Sequence, residues 1–202
     1  MTRISPPAPV YLGPPAHSTA GHNKPIHRVV IHSAVCPCAP GWAQKIAQYF
    51  RHPSAGGSAH YVTDPSEEVQ AAWDDVICWH APPNQNSIGI EMCDTPGPLP
   101  YDSRGSAAWK AAKRVWRWRK PEQQQMLRRT ARLTAQLCLA YDVPIQFIGV
   151  RKLRRGEHGI TTHANVSKTW HQSTHWDPGF WPRRRFMKMV RVEAKKLIAD
   201  AA

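Results

Sequence analysis

The 202-residue chain lacks the long apolar runs that place proteins in or across a membrane. No stretch reaches the roughly 18 consecutive apolar residues that predict a transmembrane helix. Residues 1–15 contain one arginine but no apolar segment of the kind a secretory signal requires, so we expect synthesis in the cytoplasm without a signal peptide. No segment repeats along the chain, which argues against solenoid and propeller architectures.

The sequence also lacks a cysteine motif. Its five cysteines include no Cys-x-x-Cys pair, which argues against zinc fingers. An odd number cannot pair completely within one chain, and Cys36 and Cys38 are separated by a single proline that disfavours a disulfide between them. We therefore interpret the cysteines as small buried residues.

Acidic residues are scarce: 14 Asp and Glu face 27 Lys and Arg, which gives a net charge of +13. Such a charge attracts polyanions, whether nucleic acid, an anionic lipid surface or an acidic wall polymer. The basic residues form separate clusters at residues 109–120, 151–155 and 183–185. This scatter favours a general affinity for an anionic wall or membrane surface, and we expect no specific nucleic-acid partner.

The cluster at residues 109–120 combines basic residues with Trp109, Trp116 and Trp118. Basic and aromatic side chains together can contact phosphates and stack on rings. The alternative is a solvated helix whose tryptophans cover the core. We assign residues 95–120 as a basic, tryptophan-containing insertion within a domain spanning residues 26–200, and residues 1–25, rich in proline and alanine, as a loosely ordered arm.

Hydrophobic patterning predicts short strands alternating with helices. Strands are expected at residues 27–33, 59–63, 69–73, 76–79, 87–93 and 145–150. Helices are expected at residues 42–50, from Pro121 to the break at Pro144, and at the basic C-terminus, while residues 151–179 are expected to be mostly irregular. The fold class is therefore α/β, a single domain with a mixed central β-sheet flanked by helices.

Eleven histidines are many for this length, and they supply candidate metal ligands. His32 ends a predicted buried strand, His163 follows a predicted loop, and Asp177 begins an Asp-Pro-Gly turn. Two imidazoles and one carboxylate suit a catalytic zinc ion with an open fourth position. Taken alone, each histidine is more simply a satisfied polar residue at a strand end. Because His32 and His163 lie far apart in the sequence, the fold rather than a local motif has to assemble the site.

Six short motifs occur in an order that resembles a known family: Val30-Ile31-His32-Ser33, Ser58-Ala59-His60-Tyr61, Trp79-His80-Ala81, Ile88-Gly89-Ile90-Glu91, Thr162-His163-Ala164-Asn165-Val166-Ser167 and His175-Trp176-Asp177-Pro178-Gly179. The succession resembles the type 2 N-acetylmuramoyl-L-alanine amidases, which include peptidoglycan recognition proteins and phage endolysins. Within that family it is most similar to the amidase domains of actinobacteriophage, mycobacteriophage-type endolysins. The resemblance covers about residues 27–195.

The resemblance implies zinc (Zn²⁺) bound by His32, His163 and Asp177. It implies that Glu91 transfers the proton of the attacking water. His175 stands where the family often has lysine, and it is expected to stabilise the oxyanion or to act as an acid. Because a histidine can also ligate, His175 could compete with Asp177 for the metal.

Four further residues are candidates for binding substrate: Ser58, His60, His80 and Asn86. For His60 a position in the core, where it would orient a ligand, is equally compatible with the sequence. His80 is expected in a cleft wall.

The resemblance implies a monomeric enzyme that acts at the bacterial cell wall on peptidoglycan, cutting the amide between N-acetylmuramic acid and L-alanine, and serving a phage in host lysis. One alternative is a muropeptide-binding module of the same fold without activity. Another is a basic nucleic-acid-binding protein whose histidines are incidental. The presence of both Asp177 and Glu91 favours the enzyme.

Overall fold

A computed structural model describes residues 15–94 and 115–201. Its strands are β1 (Ser18–Thr19), β2 (Arg28–Ser33), β3 (Tyr61–Thr63), β4 (Glu68–Gln70), β5 (Ile77–Cys78), β6 (Ser87–Met92) and β7 (Gly159–Thr162). Its helices are α1 (Trp42–Tyr49), α2 (Pro121–Ala140), α3 (Val150–Arg154), α4 (His163–Trp170) and α5 (Arg183–Asp200). Within the described ranges, no helix is both long and apolar enough to cross a bilayer.

Five strands form one mixed sheet in the order β4-β3-β6-β2-β7. Strands β3, β6, β2 and β7 run parallel, and only β4 is antiparallel to its neighbour β3. The carboxyl ends of parallel strands lie at the same edge of a sheet, where α/β proteins place their ligands. This topology confirms the predicted mixed sheet and brings the ends of β2, β6 and β7 together.

Helices cover both faces of the sheet. Residues of β2 alternate between the faces, so Val29 and Ile31 join the main core while Val30 packs with Val166 of α4. The main core lies between the sheet and the helices α2 and α5, where Met126, Leu133, Leu137, Phe186 and Val190 are buried. Helix α1 packs over β3 and β4. The single-domain α/β architecture is therefore as predicted.

Two segments in the C-terminal half differ from the sequence-based prediction. Residues 145–150 do not form a strand: Phe147 makes one isolated bridge to Ile160, and helix α3 begins at Val150. Residues 151–179 are not mostly irregular, since they contain β7 and two helices. For residues 145–150, the period of a short apolar run does not distinguish a strand from a turn. Helix α4 has only eight residues, and its start is defined by a cap in which Thr162 accepts a hydrogen bond from the Asn165 amide.

Part of the N-terminal arm predicted to be loosely ordered packs against the domain. Strand β1 pairs with β5, and Asn23 is buried, with its amide donating to the carbonyls of Asp74 and Ser87. Residues 1–14 lie outside the described residues, as do residues 95–114 of the insertion, including Trp109.

At the end of the insertion, one tryptophan lies in the core and another lies at the surface. Trp118 is buried in the main core, whereas Trp116 is 55% exposed. Arg117 is buried too, and its guanidinium pairs with the Asp94 carboxylate at 2.9 Å. The interpretation as core-covering tryptophans therefore holds for Trp118, whereas Trp116 lies largely at the surface, with the Lys120 ammonium 5.5 Å from the centre of its ring.

Candidate active site

The strand ends place three of the candidate residues side by side. His32 and Glu91 are register partners on β2 and β6, next to the carboxyl ends of these strands. His163 is the first residue of α4 and directly follows β7, which pairs with β2 on its other edge. The pleat directs His32 and Glu91 to the sheet face opposite Ile31 and Ile90, which is the face that carries α4.

Asp177 lies between the two histidines. Its Oδ2 is 3.3 Å from Nδ1 of His32, and its Oδ1 is 3.2 Å from Nδ1 of His163. Backbone contacts hold the Asp177 turn: the Ala164 amide donates to the Asp177 carbonyl, and the Ser33 amide donates to Oδ2. One ligand atom from each of the three residues lies within 4.8 Å of the others, and all three residues are buried, so the group can hold a metal ion.

The protonation states of this group suit metal binding. Burial opposes the charge on Asp177, but hydrogen bonds from His163 and His32 outweigh it and keep the pKa of this carboxyl well below its usual range. Burial lowers the pKa of His32 to about 4, against the opposing effect of its hydrogen bond to Asp177. At neutral pH the site therefore offers an ionised carboxylate and a neutral imidazole, the forms that ligate metals.

Glu91 faces the same point without ligating geometry. Its Oε1 is 3.8 Å from Nδ1 of His32, and its Oε2 is buried with no hydrogen-bond partner among the described residues. Burial, and then the negative charge of Asp177, raise the pKa of Glu91 well above its usual range. A carboxyl group with a raised pKa can both accept and return a proton near neutral pH.

His80 contacts the edge of the His32 ring that faces away from Asp177. Nε2 of His32 lies 3.1 Å from Nδ1 of His80, whose Nε2 lies 3.1 Å from the Ser87 hydroxyl. The Ser87 hydroxyl donates to the Asn84 carbonyl at 2.8 Å, which leaves its oxygen as an acceptor toward His80. A cation at Nδ1 of His32 would require the proton on Nε2, and the hydrogen bonds would then run in one direction from His32 through His80 to Ser87. Such contacts fix the tautomer and orientation of a ligand.

His163 has a comparable support. Its Nε2 lies 3.2 Å from the Ser173 hydroxyl, which contacts the Ser167 hydroxyl at 2.5 Å. Nδ1 therefore faces Asp177 in both histidines, while Nε2 is held by a side chain behind it.

A cleft of about 370 Å³ opens above these residues. Trp79 and Trp176 line it, and Trp79 is 44% exposed. His175 stands at the rim, 67% exposed, with its ring stacked on His163 at 4.5 Å and its Nδ1 3.8 Å from Asp177. His175 is therefore available to a molecule in the cleft, and Asp177 rather than His175 occupies the position between His32 and His163.

The structure does not bring every expected substrate-binding residue to the cleft. His60 is fully buried: its Nδ1 accepts from the Gly89 amide and its Nε2 contacts the Val76 carbonyl. Asn86 precedes β6, at the edge opposite the site, and its amide donates to the Pro25 carbonyl. The polar side-chain atoms of both residues contact backbone groups, so we assign His60 and Asn86 a structural role in holding the sheet and the N-terminal segment.

Ser58 and His80 line the cleft, yet their polar atoms are also engaged within the protein. The Ser58 hydroxyl donates to the His17 carbonyl at 2.5 Å and accepts from the Trp79 amide at 2.9 Å. Ser58 thus positions Trp79, and His80 positions His32.

Sequence reasoning missed the supporting residues. Ser87 precedes a recognised motif, and Ser173 lies two residues before His175, but a lone serine carries no signal for such a role. Trp176 also lines the cleft. Its position in the sequence, between His175 and Asp177, was the indication that it could lie beside the site.

Solved structures share this fold at low sequence identity. The Staphylococcus aureus hydrolase AmiA, solved in complex with its ligand, is 14% identical with a TM-score of 0.60, over 94% of this chain and 83% of that chain. A mutant endolysin from Bacillus subtilis is 16% identical with a TM-score of 0.57, over 90% and 97%. The catalytic domain of XlyA is 14% identical with a TM-score of 0.54, over 86% and 91%.

The family assignment rests on the sequence match. No curated protein is similar enough to this chain to count as a match. The family model described as N-acetylmuramoyl-L-alanine amidase matches residues 22–180, a range that contains every residue of the site above. The fold and this match agree with the resemblance carried by the six motifs. The chain belongs to the type 2 N-acetylmuramoyl-L-alanine amidase family, a family of peptidoglycan hydrolases.

Proposed function

We propose that this protein is a zinc-dependent N-acetylmuramoyl-L-alanine amidase that cuts the amide between N-acetylmuramic acid and the L-alanine of the stem peptide. The observation that carries the proposal is the group of His32, His163 and Asp177 with Glu91 beside it at the floor of a cleft. Family membership supports the bond that is cut.

The donor set fits zinc. Tetrahedral zinc with bonds of about 2.0–2.2 Å to nitrogen and oxygen separates neighbouring ligand atoms by about 3.4 Å. Oδ2 of Asp177 lies 3.3 Å from Nδ1 of His32 and Oδ1 lies 3.2 Å from Nδ1 of His163, so each histidine nitrogen has one carboxylate oxygen at about this spacing. Three protein ligands leave a position for water or substrate, as catalytic zinc sites require. When bound there, zinc would lower the pKa of a water to about 7 and polarise the scissile carbonyl.

The protein's own residues then move the proton and bind the developing charge. Glu91 accepts the proton of the attacking water and passes it to the leaving nitrogen, so the products are a lactyl carboxylate and a free L-alanine amine. The imidazole of His175, at the cleft rim, donates a hydrogen bond to the oxyanion. Trp79 and Trp176 form walls against which the substrate is oriented.

The test combines product and metal analysis on one sample. Mass spectrometry of digested peptidoglycan is expected to show new L-alanine amino termini and intact glycan. Metal analysis is expected to show about one zinc per chain, and activity should disappear on chelation and return with zinc. Cleavage of a glycosidic or peptide–peptide bond instead, or equal activity after chelation, would exclude the proposal.

A Glu91→Ala variant separates the enzyme from a non-catalytic binding module. If the protein is an enzyme, the parent cuts peptidoglycan and the variant binds it without cutting. A parent that binds muropeptide and never cuts it would favour the binding module. Glu91 does not directly ligate in the described geometry, so the variant should retain its metal.

We further infer a role as a phage endolysin in host lysis. The support is the resemblance of the six motifs to actinobacteriophage endolysins, together with the Bacillus subtilis endolysin among structures of this fold. The protein added to actinobacterial cells with a permeabilised envelope is expected to lower their turbidity, while the Glu91→Ala variant does not. Lysis by both proteins would point to charge-driven membrane damage instead.

A further inference from the structure

A second concave surface lies beyond the active-site cleft. It is a groove of about 750 Å³ where the end of β7, helix α4 and the segment leading into α5 meet, within the range of volumes typical of ligand sites. Trp176 lines both the cleft and this groove, so the two adjoin at this side chain.

The groove is cationic. Lys168, Arg183, Arg184 and Arg185 line it, and all four are exposed. No Asp or Glu of the described residues lines it, and none of the four cations forms an ion pair within the described ranges. In the sequence the arginine run is one of several scattered basic clusters, whereas the fold places it beside Lys168 in one groove.

Aromatic side chains give the groove a fixed shape. The Arg183 guanidinium lies over the Phe147 ring at 4.7 Å, and Phe147 contacts Trp181, which in turn packs on buried Phe186. The Phe180 carbonyl accepts hydrogen bonds from Arg117 and from the indole of Trp118. The wall that carries the arginines is thus anchored to the core.

We propose that this groove binds the free carboxylates of the stem peptide and makes the enzyme prefer an anionic peptide over its amidated counterpart. The inference rests on the proposed amidase function, since the cleft must hold the lactyl–alanine amide for the peptide to run over Trp176. Arginine guanidinium groups match carboxylates in geometry and charge, and the aromatic floor accepts the aliphatic part of the peptide.

The test compares two triple variants with equal loss of charge. The first is Arg183→Gln, Arg184→Gln, Arg185→Gln. The control is Lys188→Gln, Arg191→Gln, Lys195→Gln, on the same helix and exposed but outside the groove. The substrates are a muramoyl peptide with free carboxylates and the same compound with those carboxylates amidated. Binding of each stem peptide alone is measured by calorimetry on the full chain, so the outcome does not depend on turnover.

Because exposed ion pairs are individually weak, we expect about a tenfold rise in KM and in peptide Kd for the groove variant on the free acid. We expect unchanged kcat, no change on the amidated compound, and no change for the control variant. Equal losses in both triple variants would show a general charge effect and overturn the inference. So would arginine-dependent binding of a polyglycerol phosphate without binding of the peptide.

These outcomes separate the inference from the proposed function. If the parent binds the anionic peptide through the arginines and cuts nothing, the groove stands and the amidase proposal fails. If the parent cuts both compounds equally well and the groove variant behaves like it, the amidase stands and the groove inference fails.

Discussion

Replacing His80 tests how the protein prepares His32 for a metal. In the proposed metal-bound protein, Nδ1 of His32 would bind the cation, so its Nε2 would carry the proton and need an acceptor. Nδ1 of His80, 3.1 Å away, is that acceptor. In the metal-free protein the proton can move to Nδ1 and be shared with Asp177, which lies 3.3 Å away. Loss of the acceptor therefore penalises mainly the metal-bound state.

His80→Leu removes the acceptor at Nδ1 and puts an apolar side chain of similar size in the buried position. A buried donor left without a partner costs about 1–3 kcal/mol, and loss of such a supporting contact lowers metal affinity by about 10–100-fold. The two estimates agree, since tenfold in affinity corresponds to about 1.4 kcal/mol. His80→Asn offers an amide oxygen at the position of Nδ1 and is expected to retain most of the affinity.

The assay is competition between the protein and a chromophoric chelator for zinc at neutral pH, with circular dichroism to establish that each variant is folded. We expect zinc affinity to decrease in the order parent, His80→Asn, His80→Leu, with His80→Leu weaker than the parent by about one to two orders of magnitude. A folded His80→Leu protein that binds zinc as tightly as the parent would refute the directed hydrogen bonds from His32 to Ser87.

Three further predictions follow from the site. Glu91→Gln keeps the shape and removes the proton acceptor, so kcat is expected to fall by about 10²–10⁴ in a muropeptide assay while zinc content stays at the parent level; a fall of less than threefold would contradict the role. His175→Ala removes one oxyanion donor and should lower kcat by about 10²–10³, with His175→Lys restoring part of it; equal activity of all three proteins would exclude that role. Burial lowers the pKa of His32 to about 4, and also lowers those of His60 and His80, so below pH 6.5 these three histidines bind more protons in the unfolded chain than in the folded one. The stability that they contribute at neutral pH should therefore be lost as the pH falls toward 4, by about 3 kcal/mol from His32 alone. Because the raised pKa of Glu91 acts in the opposite direction, the measurement is urea unfolding of zinc-free Glu91→Gln protein, and stability that is flat over this window would contradict the burial.

The sequence predicted those elements whose signal is local. Strand β2 is a β-branched run, and α2 begins at Pro121 with Glu122 in its first turn, where both residues are favoured at a helix N-terminus. Strand β7 consists of Gly159, Ile160, Thr161 and Thr162, of which only Ile160 is large and apolar. Its composition therefore does not predict a strand, and its pairing with β2 defines it.

The sequence could predict the four residues that the candidate site brings together, but not the residues that contact them from behind. His32, His163, Asp177 and Glu91 stand in motifs that the family resemblance identifies, and parallel strand order brings them together. The position of Asn86 depends on which end of β6 faces the cleft, and this is decided by topology rather than by neighbouring residues.

His60 shows the same limit through tertiary contacts. Its burial depends on packing against the N-terminal segment, where Nδ2 of Asn23 lies 3.3 Å from its Nε2. Composition alone predicted that segment to be loose, because proline, alanine and serine do not by themselves indicate a packed contact.

The most direct measurement is zinc-edge X-ray absorption on the purified full chain. The account predicts a shell of two imidazole nitrogens and carboxylate or water oxygen at about 2.0–2.2 Å, lost together with stoichiometric zinc in a His163→Ala variant. A sulfur shell near 2.3 Å, which would assign the metal to cysteines, or an unchanged zinc site in that variant, would contradict the central claim.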